Sequence, residues 1–368
     1  MVMAFTKWMP APDRTFVNAK PWVNMQINKS LGQLARNVIF TSMILLFSLV
    51  QSSTTRAQAR TASVGVVEFS LDAPLPLALT AGSVQATLVR TIDTSQFSPP
   101  SPDPTGIAYL PTVNTLLIGD SEVEEMPDLF TGDNLFEATL SGSLVHTSST
   151  TNFSNEPTGV AFDNSNAHVF FSDDGSDRIF GVNPGADGRY GTADDIVTSF
   201  DTRAFGSNDP EGVAFDSQQR RLFIADAANG EVYRVSPGAN GIFDGLPPAG
   251  DDVVAQFDTE VLGLQAPQGI AFDPLTRHLY LVGLPPTVVA EVTIAGKLVQ
   301  MIDISAANAH RPAGLTLGPG TLDALGRSLY IVDQGVDNDT NPDENDGKLY
   351  EFSLPRPIVT FLPVVIHQ

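Results

Sequence analysis

Acidic side chains stand at the same place in a short phrase that recurs along the chain. Asp103, Glu156 and Asp209 each precede a Pro-x-Gly sequence, and their numbers differ by 53 in both steps. Carboxylates gathered at one place bind cations or basic groups, and they repel one another without such a partner. His310 and Arg311 occupy the corresponding place in a later copy and would supply local positive charge. These five residues form the candidate ligand-binding set.

Two glycine-rich segments carry a second set of carboxylates. Each begins with Pro-Gly-Ala, continues with Asp or Asn and then Gly, and ends in paired aspartates. Turns of this kind can place oxygens around Ca²⁺, which takes six to eight oxygen ligands. The alternative is a solvated hairpin tip without metal. The candidate metal ligands are Asp187, Asp194 and Asp195 in the first segment and Asp244, Asp251 and Asp252 in the second.

A third acidic segment, residues 337–347, starts like a calcium-binding loop. It departs from the EF-hand pattern, because Pro342 stands where Gly is needed and Lys348 where the bidentate Glu belongs. An irregular calcium site is one interpretation, and an acidic surface loop is the other. The candidate ligands are Asp337, Asp339, Asn341 and Asp343.

Catalytic signatures are missing from the sequence. It contains no G-x-S-x-G, no H-E-x-x-H and no phosphate-binding loop. It has only five His and no Cys, so nothing redox is implied. The sequence therefore favours a binding protein over an enzyme.

The elements that must position these residues are short strands in a repeated unit. The phrase Pro-x-Gly-[Val/Ile/Leu] occurs five times, with its glycines 53, 53, 57 and 45 residues apart. Each copy is followed by further apolar runs with turn residues between them, which predicts four short strands per copy. Such a period and pattern predict an all-β fold, a β-propeller of four-stranded blades. The repeated glycines are Gly106, Gly159, Gly212, Gly269 and Gly314.

The fifth copy lacks its own fourth strand. Residues 87–95 closely match residues 297–305, the fourth strand of the preceding copy. We therefore expect the N-terminal strand to complete the last blade and close the ring, which leaves no open sheet edge. This predicts five blades. Six blades is the alternative, if residues 61–82 and the C-terminal tail form an irregular extra blade.

Strand order decides which loops share a face. Because strands in a blade alternate in direction, the loops before the first strand and after the second emerge together. The turn acids and the aspartates that end the second strands (Asp120, Asp173, Asp226 and Asp333) should then form one acidic face around the channel. An Asp after a strand also commonly caps a turn, which is the simpler interpretation of those four. The two glycine-rich hairpins should lie on the opposite face.

The N-terminal region reads as a secretory signal. Five basic residues precede an apolar run over 38–50, and an Ala-x-Ala site ends at Ala59. We expect a signal peptide over 1–59, with Met1 or Met25 as the start, an N-terminal extension over 60–83, the propeller over 84–354 and a tail over 355–368. An uncleaved membrane anchor is the alternative. The expected product is a secreted, extracellular, cell-surface or periplasmic monomer without stable membrane insertion.

The charge of the chain excludes some partners. The formal net charge is −22, from 20 basic and 42 acidic residues. Removing residues 1–59 removes six basic residues and one acid, which leaves 14 − 41 = −27. Such a surface repels nucleic acid and anionic lipid. It suits cations, a basic partner protein or a small ligand, or simply solubility.

The phrase Pro-x-Gly-[Val/Ile]-Ala-[Phe/Tyr], followed by a strand that ends in Asp, resembles NHL-type repeats. More broadly it resembles the propeller group that includes gluconolactonase-like hydrolases, over residues 84–353. The first resemblance implies binding of protein or other ligands, and the second implies a divalent metal held in the channel by acidic and Asn side chains.

Two hypotheses for the function follow from the sequence. One is a non-catalytic propeller with structural Ca²⁺ that binds a ligand on its acidic face. The other is a metal-dependent lactonase or esterase that uses Asp103, Glu156 and Asp209, with a metal-bound water as nucleophile.

Overall fold

The computed structural model describes residues 83–323, 326–338, 340–341 and 343–354. The expected signal peptide, residues 60–82 of the extension, the tail and Asp339 lie outside these ranges. The described part is all-β, apart from short 3-10 helices at Thr94–Gln96, Val123–Glu125, Arg203–Phe205, Glu260–Leu262 and Ser305–Ala307. None of the helices in these ranges has the length and apolar character needed to cross a membrane.

Strands β1 to β21 form five sheets that correspond to the repeated phrase. The chain begins with β1 (Ser83–Gln85) and β2 (Thr87–Asp93) and then forms the first blade. That blade comprises β3 (Pro104–Leu110), β4 (Thr115–Asp120), β5 (Leu135–Thr139) and β6 (Leu144–Ser148). The second comprises β7 (Gly159–Asp163), β8 (His168–Asp173), β9 (Arg178–Asn183) and β10 (Ile196–Asp201). The third comprises β11 (Pro210–Asp216), β12 (Arg221–Asp226), β13 (Glu231–Ser236) and β14 (Val253–Asp258).

The last two blades include the N-terminal strands. The fourth comprises β15 (Ala266–Phe272), β16 (His278–Leu284), β17 (Val288–Thr293) and β18 (Leu298–Asp303), and the fifth comprises β19 (Pro312–Pro319), β20 (Arg327–Asp333) and β21 (Lys348–Ser353) together with β2. Each innermost strand contacts the next, from β3 through β7, β11, β15 and β19 back to β3. The predicted fold, a propeller of five four-stranded blades, is confirmed.

The ring closes through the N-terminal strand, as the sequence predicts. Strand β2 pairs antiparallel with β21, from Thr87 opposite Ser353 to Asp93 opposite Lys348. Strand β1 adds a feature that the sequence did not reveal, because it pairs in parallel with β18 and extends the fourth blade outward. The buried Ala86 joins the two strands and donates its backbone N–H to Asp303 O at 3.0 Å. The segment therefore ties the outer edges of the fourth and fifth blades together.

Five apolar clusters hold the ring, one between each pair of neighbouring blades. The repeated glycines lie where the innermost strands come closest. A Cβ on Gly159 would lie 2.4 Å from Glu211 O, and one on Gly269 would lie 2.0 Å from Ala313 O. Only Gly can occupy such positions without moving a neighbouring backbone. The glycine of the repeated phrase therefore sets how tightly adjacent blades approach each other at the channel.

Candidate cation site at the channel mouth

The aspartates that end the second strands position the loops of the mouth. Asp226 shows the pattern: its Oδ2 accepts from Asn208 N at 2.9 Å and Asp209 N at 3.3 Å, while its Oδ1 accepts from Asn229 N at 2.8 Å. Asp333 likewise accepts from the backbone N–H groups of His310 and Arg311. Because these carboxylates are used by backbone donors, they serve as turn caps, and they hold the candidate residues before each innermost strand in place.

Three carboxylates converge at the mouth between the second and third blades. Asp174 follows β8, Asp209 precedes β11 and Glu211 lies within β11, and each offers an oxygen within 4.8 Å of the other two. Strand β11 has a register shift between Pro210 and Val213, so Glu211 lies in an irregular part of the strand. Loops before a first strand and after a second strand therefore meet on one face, as the strand directions predict.

Hydrogen bonds orient the side chains of this group. The Thr158 hydroxyl donates to Asp174 Oδ1 at 2.8 Å, and Gln268 Nε2 donates to Glu211 Oε1 at 3.4 Å. Both donors occupy the variable place in the Pro-x-Gly phrase, in the second and fourth copies. The channel-facing ends of three successive blades therefore contribute to one site.

The mouth has an excess of negative charge. Burial raises the pKa of Glu211 well above its usual value, and Asp174 and Asp209 add to the rise, while Arg311 and the Gln268 hydrogen bond oppose it. Burial also raises the pKa of Glu122, with further contributions from Asp174 and other nearby acids. A cation placed here would relieve both effects, because it favours the ionised carboxylates.

Arg311 supplies positive charge at this mouth. Its guanidinium forms an ion pair with Asp337. Burial alone would lower the pKa of Arg311, but Asp337, Glu211 and Glu122 together raise it. His310 lies beside it and contacts Gly335 O through Nδ1 at 2.6 Å. Of the two residues expected as a basic counterpart, Arg311 thus lies near Glu211.

Asp103 and Glu156 lie elsewhere on the same face. Asp103 is fully buried, and burial, followed by Asp120 and Glu344, raises its pKa to about 10. Burial raises the pKa of its neighbour Glu344 to about 8. The Glu156 carboxylate lies against Gly175, where a Cβ would come within 1.9 Å of Oε2. Of the three predicted mouth acids, Asp209 belongs to the converging group.

The predicted metal ligands separate into different environments. Asp244, Asp251 and Asp252 converge in the hairpin between β13 and β14, with oxygens within 4.8 Å of one another. Asp187, Asp194 and Asp195 are not among the converging groups found in the described ranges. In the third segment, Asp337 pairs with Arg311, and Asn341 Oδ1 accepts from Asp343 N at 3.4 Å. In these contacts Asp337 forms an ion pair, and Asn341 accepts a hydrogen bond within its own turn.

Sequence reasoning missed Asp174 and Glu211. Both have a signal that could have identified them. The variable residue of Pro-x-Gly is Thr105, Thr158, Glu211, Gln268 and Ala313 in the five copies. A single acid in that series marks a departure from the repeat, and Asp174 is a second acid directly after the capping Asp173. Departures from a structural repeat are therefore better indicators of a site than the repeated acids.

The other end of the channel holds a cavity of about 690 Å³. Its lining includes the side chain that follows the small residue in each copy of the repeated phrase. Those side chains are Tyr109, Phe162, Phe215, Phe272 and Leu317. The lining also includes Asp216, Asp273 and Arg327, so this end of the channel combines aromatic and charged side chains.

No protein-family model matches the chain, and no curated protein matches it. Solved structures with a similar fold include the PQQ-bound aldose sugar dehydrogenase from Streptomyces coelicolor, at 15% identity and a TM-score of 0.42, covering 75% of this chain and 99% of that one. The Swd1 β-propeller domain from Myceliophteria thermophila has 8% identity and a TM-score of 0.40, with 73% and 100% covered. The nidogen/laminin complex has 18% identity and a TM-score of 0.39, with 67% and 80% covered. At such values these similarities carry no functional argument, and the propeller rests on its own strand topology.

Proposed function

We propose that the protein is a ligand-binding propeller whose acidic channel mouth holds a divalent cation through Asp174, Asp209 and Glu211. The observation that carries the proposal is the convergence of these three carboxylates, with oxygens within 4.8 Å of one another. Hard divalent cations take several carboxylate oxygens at once, and three such ligands leave coordination positions for water or for an oxygen of a ligand.

The electrostatics of the mouth support a cation. The raised pKa of Glu211 means that its ionised form is disfavoured while the site lacks a compensating charge. A bound divalent ion would reverse this, so binding should release a proton and should strengthen as pH rises. Arg311 would then lie beside the cation, where it can contact an anionic group of a ligand bound to the ion.

The cellular setting of the proposal follows from the sequence. Export through the signal peptide over 1–59 would place the site outside the cytoplasm, where calcium is abundant. The ligand-binding role implied by the resemblance to NHL-type repeats agrees with a small molecule or partner protein that uses the mouth. The negative charge of the chain also disfavours binding to nucleic acid and to anionic lipid.

The second candidate is a metal-dependent hydrolase of lactones or esters. The open coordination positions of a three-carboxylate site favour it, because a metal-bound water there could act as nucleophile. Its metal ligands would be Asp174, Asp209 and Glu211, whereas the sequence suggested Asp103, Glu156 and Asp209. Assays of lactone and ester substrates with Ca²⁺, Mg²⁺, Mn²⁺ and Zn²⁺ separate the two functions. Turnover that disappears in Glu211→Gln identifies the hydrolase, whereas cation binding without turnover identifies the binding protein.

Calorimetric titration of the metal-free protein with those four cations tests the site itself. We expect Glu211→Gln to weaken binding by at least about tenfold, because a coordinating carboxylate is lost. Asp128→Asn is the matched control, since Asp128 is an exposed acid on a loop of the same face. Its affinity should stay within about twofold of the parent, as expected for a screened surface charge. Equal affinity in Glu211→Gln and the parent would remove the proposal.

A further inference from the structure

We propose that the hairpin between β13 and β14 is a calcium site formed by Asp244, Asp251 and Asp252, separate from the channel mouth. Their carboxylate oxygens lie within 4.8 Å of one another. The hairpin leaves the blade after the third strand, so it lies on the face opposite Asp174, Asp209 and Glu211. Carboxylate oxygens are among the ligands that Ca²⁺ prefers.

The hairpin between β9 and β10 provides an internal comparison. Asp194 Oδ2 accepts from Ala186 N at 2.7 Å, and Asp251 Oδ2 accepts from Ala239 N at 2.8 Å. The second aspartates of the two pairs also correspond. Asp195 Oδ2 accepts from Gly191 N at 2.8 Å, and Asp252 Oδ2 accepts from the equivalent Asp244 N at 3.1 Å. One oxygen of each paired aspartate is thus used in the same way in both hairpins.

The remaining oxygens differ between the two hairpins. In the second blade the Thr192 hydroxyl donates to Asp194 Oδ1 at 2.8 Å and lies 3.5 Å from Asp195 Oδ1. In the third blade no such hydroxyl is present, and Asp244 follows Phe243 where Gly191 follows Tyr190. The third blade therefore has a third carboxylate in place of the Thr192 hydroxyl. Asp244 itself accepts from Asn240 Nδ2 at 2.7 Å and from Asp251 N at 3.1 Å.

The unused oxygens are buried. Asp252 is only 4% exposed, and the Oδ1 atoms of Asp251 and Asp252 are buried without a hydrogen-bond partner. Buried carboxylate oxygens without donors are costly unless a cation or a donor satisfies them. A cation at this point would satisfy the two oxygens and offset the repulsion among the three carboxylates.

Two glycines leave room for the carboxylates. A Cβ on Gly250 would lie 1.9 Å from Asp244 Oδ1, and one on Gly238 would lie 2.3 Å from Asp251 Oδ1. The backbone at both glycines therefore lies close to these carboxylates. Any larger residue at either position would displace them.

The site would also stabilise the boundary between two blades. Phe243 lies in the same hairpin, with its ring 5.6 Å from that of Phe170 and 6.0 Å from that of Phe215. Phe170 belongs to the second blade and Phe215 to the third. Calcium bound next to Phe243 would order the hairpin and hold this aromatic contact, so binding should raise the thermal stability of the propeller.

Thermal unfolding with added CaCl₂ after removal of metal by chelator tests the site. The variants are made in the Glu211→Gln background, in which we expect cation binding at the channel mouth to be weakened. We expect saturating calcium to raise the midpoint of this parent by about 5 °C or more. Asp251→Asn and Asp252→Asn should lose most of the rise. Asp194→Asn, the equivalent change in the second blade, should keep the full rise even if its midpoint without calcium differs.

The number of bound calcium ions gives a second readout. Equilibrium dialysis should find one ion fewer in Asp251→Asn than in the parent. The proposal would be overturned if Asp251→Asn bound as many calcium ions as its Glu211→Gln parent and showed the same rise in midpoint. It would also be overturned if calcium did not raise the midpoint of the Glu211→Gln parent. Neither result affects the channel-mouth site, which is tested by Glu211→Gln in the otherwise unchanged protein.

Discussion

Arg311 lies close enough to Glu211 at the channel mouth to lower the pKa of a carboxyl that burial, Asp174 and Asp209 raise. It stands immediately before Pro312, as Asp209 stands before Pro210. The ring is therefore regular in its backbone but not in its charge. The residue before the proline is acidic in the first three copies, Ala266 in the fourth and Arg311 in the fifth. The charge around the mouth is therefore uneven, and the three converging acids belong to the second and third blades.

Replacing Arg311 tests whether it competes with the cation. Because Arg311→Gln removes positive charge beside Glu211 and releases Asp337 from its ion pair, we expect divalent cations to bind about fivefold more tightly, which corresponds to about 1 kcal/mol. Calorimetric titration measures this. Arg203→Gln is the control, since Arg203 pairs with Asp201 at an exposed site before β11. Weaker cation binding in Arg311→Gln would contradict this role.

Asp103 should make the protein lose stability as pH rises. Its pKa is about 10 in the folded protein and 3.8 ordinarily, and the pKa of Glu344 is about 8 against 4.5. The folded state thus keeps protons that the unfolded state releases above about pH 4. The free energy of unfolding therefore falls up to about pH 8 through both groups and up to about pH 10 through Asp103. Each group contributes a slope of at most about 1.4 kcal/mol per pH unit.

Denaturant unfolding from pH 5 to pH 8, with a chelator present, measures this slope. Asp103→Asn should flatten it, because the amide does not titrate. Asp120→Asn should instead lower stability across the range, because Asp120 accepts from Ser101 Oγ at 2.7 Å and Val123 N at 3.0 Å. Equal slopes in Asp103→Asn and the parent would show that Asp103 does not carry the effect.

The repeat made the fold predictable, and the same regularity hid the site. The glycine of each phrase and the match between residues 87–95 and 297–305 were enough to predict five blades and the closing strand. The pattern could not show that Glu211, in an irregular part of β11, would meet Asp174 from another blade. It also could not reveal β1, because three residues that pair in parallel leave no periodic signal. Contacts between blades depend on side chains that differ from copy to copy.

Replacing Arg90 tests whether β2 completes the fifth blade. It lies on β2 opposite Glu351 of β21, and its Nε is 3.2 Å from Glu351 Oε2. Glu351 is fully buried and also accepts from Ser328 Oγ at 3.0 Å. Because Arg90→Ala leaves this buried carboxylate without its counter-ion, we expect a loss of about 3 kcal/mol in denaturant unfolding.

Two further variants separate charge from packing at this seam. Arg90→Ala/Glu351→Gln should recover part of the loss, since the uncompensated charge is removed. Arg203→Ala breaks an exposed ion pair and should cost less than about 1 kcal/mol. If Arg90→Ala were as mild as Arg203→Ala, the N-terminal strand would not complete the fifth blade in solution.

Replacing Gly269 tests whether neighbouring blades must approach each other closely at the channel. A Cβ there would lie 2.0 Å from Ala313 O of the next blade, and a backbone oxygen cannot move aside as a flexible side chain can. We expect Gly269→Ala to lower the free energy of unfolding by about 3 kcal/mol or more, at the upper end of overpacking costs. Gly320→Ala is the control, because its nearest atom, Asp323 O, would be 3.0 Å away. A similar small loss in both variants would mean that the innermost strands can separate, and that the glycine of the repeated phrase serves the turn alone.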